Sequence, residues 1–387
     1  IFRILVILLL STTVGCQKKA SSGLNQKAAT LPSGTSVWVS FYNVENLFDP
    51  HDDAGKDDSE FLPGSDLDWT AEKYVAKLDH LTQAVSAMNN GKGPDVLGLA
   101  EVENFQTLED WTTMTELKSR GYKFVIEEGP DPRGIDCAFM YDPAIFVYKS
   151  HEAKEVSFPD EPDYITRLVL KVDGEINGEA ISFVVIHWPS RYGGQEESES
   201  RRVAAATATR ELIEEEWSDN AGADIIVMGD FNDDPFNKSV AEVLKSSTGN
   251  ETGLQTDEFF NPVGALHDPE SIGTLTYRGK WNLFDQVLIS QNLTDDMSIT
   301  TTYTKRETKD VAAQLKNDGF SVVALHGDLE QRDRDQTLLQ FANKSVSIMV
   351  ATDVAARGLD IDALDAVINY HIAFDTEVHI HRIGRTG

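Results

Sequence analysis

The rhythm of apolar positions changes twice along this chain. Residues 1–10 form a nearly continuous apolar run broken by Arg3. From about residue 37 to 289, short apolar or alternating runs are separated by polar turns, with stretches of helical spacing between them. After Ser298, strand-like and helix-like segments alternate strictly. The middle block predicts strands at 37–44, 95–102, 122–126, 135–141, 146–149, 166–172, 180–188, 223–228, 274–277 and 283–289. It predicts helices at 70–90, 104–120 and 196–216. On the first helix Val75, Leu78, Leu81, Val85 and Met88 form the apolar side, and Thr70 stands where an N-cap belongs. Residues 49–68, DPHDDAGKDDSEFLPGSDLD, lack the regular ligand spacing of a calcium loop and read as a solvated acidic loop. Many strands with interspersed helices and no repeat predict an α/β domain with helical cover. The last block predicts strands from about 301 and at 321–325, 346–351 and 366–370, with helices at 305–318 and 331–342. That is the βαβ rhythm of a parallel sheet. No Pro/Gly/Ser-rich linker separates the blocks, which is unusual for two natural domains.

The opening run is too short to span a bilayer and suits the apolar core of a signal peptide. Thr13-Val14-Gly15-Cys16 comes next. This tetrad resembles a bacterial lipobox, with Thr13 where Leu is usual. The resemblance implies lipidation of Cys16, a signal peptide over 1–16 and a polar tether over 17–36. The product would be an exported lipoprotein held at a membrane by its lipid anchor. An ordinary export signal with an incidental Cys is the alternative. The first residue is not Met, which leaves the true start of the chain open. Cys137 has no partner once Cys16 is lipidated, so no disulfide framework is expected. It reads as a small buried apolar residue.

Charge narrows the partners. Residues 301–387 carry 10 Lys/Arg and 13 Asp/Glu, a net of −3, so −27 of the formal −30 falls on the first 300 residues. Nucleic-acid affinity comes mainly from Lys and Arg neutralising phosphates. The first block is therefore a poor non-specific binder of nucleic acid, and its acidity favours solubility.

Four runs carry candidate chemistry. FYNVENLFD places Asn43 and Glu45 at a strand end, GLAEVEN does so for Glu101, VVIHWPSRYGG for His187, and VMGDFNDDP for Asp230 and Asn232. Polar residues ending apolar strands are where sites of α/β proteins gather. Hydrolysis of a phosphoester needs a hard cation on the phosphoryl oxygens, and Mg²⁺ takes one or two carboxylates plus water. Glu101 suits that role. Asp230 and Asn232, flanking Phe231 on one side of an extended strand, supply an acceptor for water and an amide for phosphate. His187 can donate to a phosphate oxygen or protonate a leaving group.

These runs resemble the endonuclease/exonuclease/phosphatase superfamily over about 36–298. The resemblance implies a four-layer α/β/β/α sandwich of two mixed sheets. It implies Mg²⁺ (or Mn²⁺) at Asn43 and Glu101, with Asp230 and Asn232 at the scissile phosphate and His187 beside it. Asp285, in WNLFDQVLIS, matches an aspartate that orients a catalytic histidine. Arg133 and Arg191 are candidate phosphate clamps by their chemistry. The substrate would be a phosphoester of a small molecule, lipid or nucleic acid, and a monomer is expected. Family members end on a further strand with a Ser-Asp-His run, and no such run succeeds Asp285 here. The 37–298 domain is thus expected to be incomplete, with part of one sheet unpaired and its hydrolysis impaired by roughly 10²–10⁴-fold.

The last block resembles, from about 301 to 387, the second RecA-like lobe of a DEAD-box RNA helicase, a parallel α/β lobe present in part. HGDLEQRDR provides Gln331 and Arg334; VATDVAARGLDI provides Asp353, Arg357, Gly358 and Asp360; HRIGRTG provides His381, Arg382 and Arg385. The resemblance implies contacts to RNA and, in the parent helicase, to ATP; guanidinium groups suit both phosphates. The chain has no G-x-x-x-x-G-K-[ST] phosphate loop and no D-E-A-D run, so it is not a motor. An export signal, a cytoplasmic helicase lobe and missing pieces beside the join imply a chimera. Two other readings stand beside the hydrolase: a helicase fragment with residual RNA binding, and an inert surface lipoprotein.

Overall fold

The computed structural model describes residues 3–10, 36–249, 253–264, 273–277, 279–294, 299–303, 321–325, 348–352 and 366–369, with 267, 269, 336, 337, 339, 340, 345 and 346. Its elements begin with β1 (Arg3–Leu10), β2 (Ser36–Leu47), α1 (Ala71–Gly91), β3 (Val96–Val102) and α2 (Phe105–Met114). There follow β4 (Lys123–Ile126), β5 (Asp136–Tyr141), β6 (Phe146–Lys154), β7 (Val169–Ile176), β8 (Glu179–His187), α3 (Glu199–Asp219) and β9 (Asp224–Asp230). Short strands β10 (Ser246–Ser247) and β11 (Phe259–Phe260) precede a hairpin of β12 (Leu275–Tyr277) and β13 (Lys280–Asn282). Then come β14 (Asp285–Ser290), the single turn α4 (Gln291–Thr294), β15 (Ile299–Tyr303), β16 (Val322–Leu325), β17 (Ile348–Thr352) and β18 (Ala366–Asn369).

One sheet runs β1-β2-β3-β5-β4 and a second β10-β11-β14-β9-β8-β7-β6. Both are mixed: β2–β3 and β8–β9 are parallel, β3–β5 and β9–β14 antiparallel. Alternation along each strand decides which face meets which layer. Phe183 and Val185 of β8, with Ile226 and Met228 of β9, join a core shared with β2, β3, β5 and α1. Val184, Ile186, Ile225 and Val227 turn the other way, onto Ala205, Ala206, Leu212 and Ile213 of α3. Leu78, Leu81, Val85 and Met88 bring α1 onto the first core. The layers are helix, sheet, sheet, helix, as expected for the α/β/β/α sandwich. β15 to β18 form a separate four-stranded sheet in the order β16-β17-β15-β18, parallel throughout. That matches the expected parallel lobe; the helix expected at 305–318 lies outside the described residues.

Local differences have local causes. Val75 is 45% exposed, and Tyr74, a turn before Leu78, takes its place in the core. Thr70 occupies the N-cap in extended backbone, but its side chain makes no cap hydrogen bond to α1. The helix expected at 104–120 breaks at Thr115, whose backbone is extended, and resumes as a 3-10 turn. Asn104 does cap α2, accepting from the N–H of Gln106 at 3.2 Å. The expected loss of a strand would leave a sheet edge unpaired, yet the outer edge of β2 is paired in parallel by β1 from Arg3↔Ser36 to Leu10↔Asn43. An apolar run and an otherwise open strand edge complete each other's backbone bonding.

Candidate active site

Register brings the polar strand ends together. His187 sits opposite Asp230 across β8 and β9, and Asp230 opposite Asp285 across β9 and β14. Gly229 permits the close approach of β8, since a Cβ there would lie 2.1 Å from the carbonyl oxygen of Ile186. Facing this row, β2 and β3 both leave their ladders. The β2–β3 register breaks between Asn43 and Leu47, and the β3–β5 register between Leu99 and Val102. Glu45, Asn46 and Glu101 have left-handed backbones, with φ of 46°, 62° and 64°. Such values are uncommon outside glycine, and bulges of this kind re-aim side chains near sites. Asn43 then spans the two sheets: its Nδ2 donates to Asp230 Oδ2 at 3.2 Å and lies 3.4 Å from Glu101 Oε1. His187 Nε2 lies 3.7 Å from Glu101 Oε1 and 3.8 Å from Asp230 Oδ2.

Burial sets the electrostatics. Asp230 is pushed up to about 6, first by burial and then by the charge of Glu101. Burial, then the charge of Asp230, holds the Asp285 carboxyl well above the usual range. Burial also keeps His187 well below its ordinary value, with Arg167 and Arg133 adding to the effect. Among the described residues, two buried polar atoms of this corner have no hydrogen-bond partner: His187 Nδ1 and Asp285 Oδ1. Orphaned buried groups of this kind are costly unless something else meets them.

Asn232 differs from expectation. β9 ends at Asp230, and Asn232 lies beyond it with a φ of 50°, so the two do not share an extended strand. Its N–H closes a turn onto Asp230 Oδ1 at 2.9 Å, and its Nδ2 donates to the carbonyl of Trp188 at 2.9 Å. The turn still holds both residues beside His187 through that Trp188 contact.

The two candidate clamps part company. Arg133 is about half exposed and touches Asp131 Oδ1 through Nε at 3.4 Å; among the described residues its terminal nitrogens have no protein partner. Arg191 is not free as expected. It donates to Asn232 O, Gln195, Asn282, Asp233, Asp234 and Asn237, and lies over the Phe284 ring. It therefore orders the loop after Asp230. Sequence reasoning missed Arg167, whose guanidinium donates to the carbonyls of His187 at 3.1 Å and Trp188 at 2.6 Å and pairs with Asp131 at 3.2 Å. A lone Arg opening an otherwise apolar strand, TRLVL, was the available signal. Cys16, Gln331, Arg334, Asp353, Arg357, Gly358, Asp360, His381, Arg382 and Arg385 lie outside the described residues.

A divalent cation fits this corner by the chemistry of its donors. Beyond burial, the charge of Glu101 helps to raise the carboxyls of Glu45, Asp230 and Asp285. The Asp285 oxygen without a partner adds an unmet demand. Among the described residues, no three His, Cys, Asp or Glu side chains converge into a closed cage.

The fold and this acidic corner define a two-sheet α/β sandwich with its site at the strand ends. A model described as the endonuclease/exonuclease/phosphatase family matches residues 38–319, well over half the chain. The chain belongs to that family, which places it among the hydrolases. A helicase conserved C-terminal domain model matches 279–387, overlapping the first across 279–319. The ATP-dependent RNA helicase DbpA of Escherichia coli K12 is 60% identical over 83 residues, 21% of this chain and 18% of DbpA. The chain thus spans less than a fifth of that relative. Among solved structures, truncated Caenorhabditis elegans TDP2 is similar at 19% identity and a TM-score of 0.39, over 56% of this chain and 78% of that one. The human Nocturnin catalytic domain with bound sulfate is similar at 18% and 0.37, over 51% and 69%.

Proposed function

We propose that the first block is a Mg²⁺-dependent (or Mn²⁺-dependent) phosphoester hydrolase, impaired by the missing Asp-His strand. The observation that carries it is the bridge from Asn43 to Glu101 and Asp230, which joins the ends of both sheets in one acidic corner. Asn43 and Glu101 would hold the cation, which supplies neutralisation of the phosphoryl oxygens. Asp230 orients the attacking water. Arg133 and the second amide hydrogen of Asn232 face the phosphate. His187 donates to a phosphate oxygen or to the leaving group. The Asp285 oxygen without a partner among the described residues supports a role in orienting the histidine that is missing on this reading.

The acidic first block favours small or extracellular phosphoesters over duplex DNA. We read 1–16 as a lipoprotein signal, 17–36 as a tether, 37–298 as the hydrolase domain and 301–387 as a helicase piece joined to it in a chimera. The 60% identity to DbpA supports a second reading for 301–387, a fragment with residual RNA binding. ATP would be bound only in the parent helicase.

The full chain should hydrolyse bis(p-nitrophenyl) phosphate slowly and only with Mg²⁺ or Mn²⁺. Glu101→Ala and Asp230→Ala should each abolish that turnover. Turnover unchanged by both substitutions would overturn the hydrolase reading.

A further inference from the structure

Lys77 is a charged residue on the buried side of α1, 4% exposed. Its Nζ donates to the carbonyl of Val44 at 2.7 Å and lies 3.4 Å from that of Glu45. Those carbonyls belong to the stretch where β2 drops out of register with β3. Backbone carbonyls turned out of a ladder and buried must find another donor. The same stretch contains the left-handed Glu45 and Asn46, a conformation that persists only where the surroundings enforce it. Among the described residues the ammonium has no ion pair within 4 Å, so its direct contacts are to backbone. Burial pulls the Lys77 ammonium down to about 7, while Glu45 and Glu101 act on it only through their charge, which favours the protonated form.

We infer that Lys77 is a positioning residue for the acidic corner: its ammonium pins the Val44 and Glu45 carbonyls and so fixes the bulge that aims Asn43 at Glu101 and Asp230. This rests on the hydrolase reading only in taking Asn43 and Glu101 as cation ligands. Two effects of the lysine oppose each other. As a positive charge it repels a cation from the corner. As a pin it holds the donors in place. If charge alone mattered, its removal would tighten cation binding; if pinning dominates, removal loosens it.

The test uses the full chain with Lys77→Met, similar in length and apolar, and Lys77→Arg, which keeps donors. Backbone hydrogen exchange is followed by mass spectrometry without metal, and Mn²⁺ binding by calorimetry. In Lys77→Met, exchange across Glu45–Leu47 should rise about tenfold, the size of one lost charged hydrogen bond. Exchange in β3 at Val96–Leu99 should stay as in the unaltered chain. Mn²⁺ affinity should fall about tenfold by the same measure, and Lys77→Arg should recover most of both effects. Unchanged exchange at 45–47, an equal rise in both segments, or tighter Mn²⁺ binding overturns the proposal. Absence of Mn²⁺ binding by the unaltered chain would sink the cation reading, while the exchange result still decides the role of Lys77.

Discussion

Among single residues, several charged side chains are buried, in the acidic corner and elsewhere in the sandwich. Asp136 begins β5, buried, and accepts the Gly129 N–H at 2.9 Å. Burial pushes its carboxyl up to about 8, against about 3.9 in an unfolded chain. The folded state therefore holds a proton that the unfolded state has released between those values. Stability from this group is complete below about pH 4 and is lost as pH rises toward 8. Asp136→Asn keeps the acceptor and removes the titration. It should flatten the pH dependence of melting over that window and stabilise the protein at pH 8 by up to about 5 kcal/mol, about four pH units at roughly 1.4 kcal/mol each. An unchanged slope would contradict this. Arg167→Met should cost about 3–5 kcal/mol in urea unfolding, because it strands the buried Asp131 and two carbonyls. A loss below about 1 kcal/mol would mean that the pair is not holding the His187 strand end.

For the strands and helices, strand order in the two sheets was not legible in the sequence, whereas the presence of the strands was, as short apolar runs. β8 and β9 are the plainest cases, with adjacent residues sorted to opposite cores. The same pattern located Asn43, Glu101, His187 and Asp230, because each ends an apolar run; Asp285 came from the family resemblance instead. It did not locate the bulges in β2 and β3, since left-handed Glu45, Asn46 and Glu101 carry no local composition signal. Nor did it reveal that Arg191 is committed to the loop after Asp230, because that loop folds back only in three dimensions. β1 gives a prediction for one element. Cleavage before Cys16 would remove it and expose the edge of β2 that it now pairs. Amides along Ser36–Asn43 should then exchange faster in a form starting at Cys16 than in the full chain. Equal protection in both would show that β1 does not cover that edge in solution.

Taken as a whole, the molecule joins two blocks that match unlike families. The match over 38–319 and the helicase match over 279–387 meet in the region where the apolar rhythm changes. The first block presents an acidic sandwich, and the second a parallel sheet with no phosphate loop anywhere in the sequence. On the proposed reading, the corner built by Asn43, Glu101, His187, Asp230 and Asp285 is a phosphoester-hydrolysing centre lacking one histidine. The decisive comparison is of Mg²⁺-dependent hydrolysis of bis(p-nitrophenyl) phosphate by this chain and by one whose residues after Ser290 are replaced with a terminal segment carrying a Ser-Asp-His strand. The repaired chain should be faster by roughly 10²–10⁴-fold and should lose that gain on Glu101→Ala. A repaired, folded chain no more active than this one would contradict the hydrolase assignment.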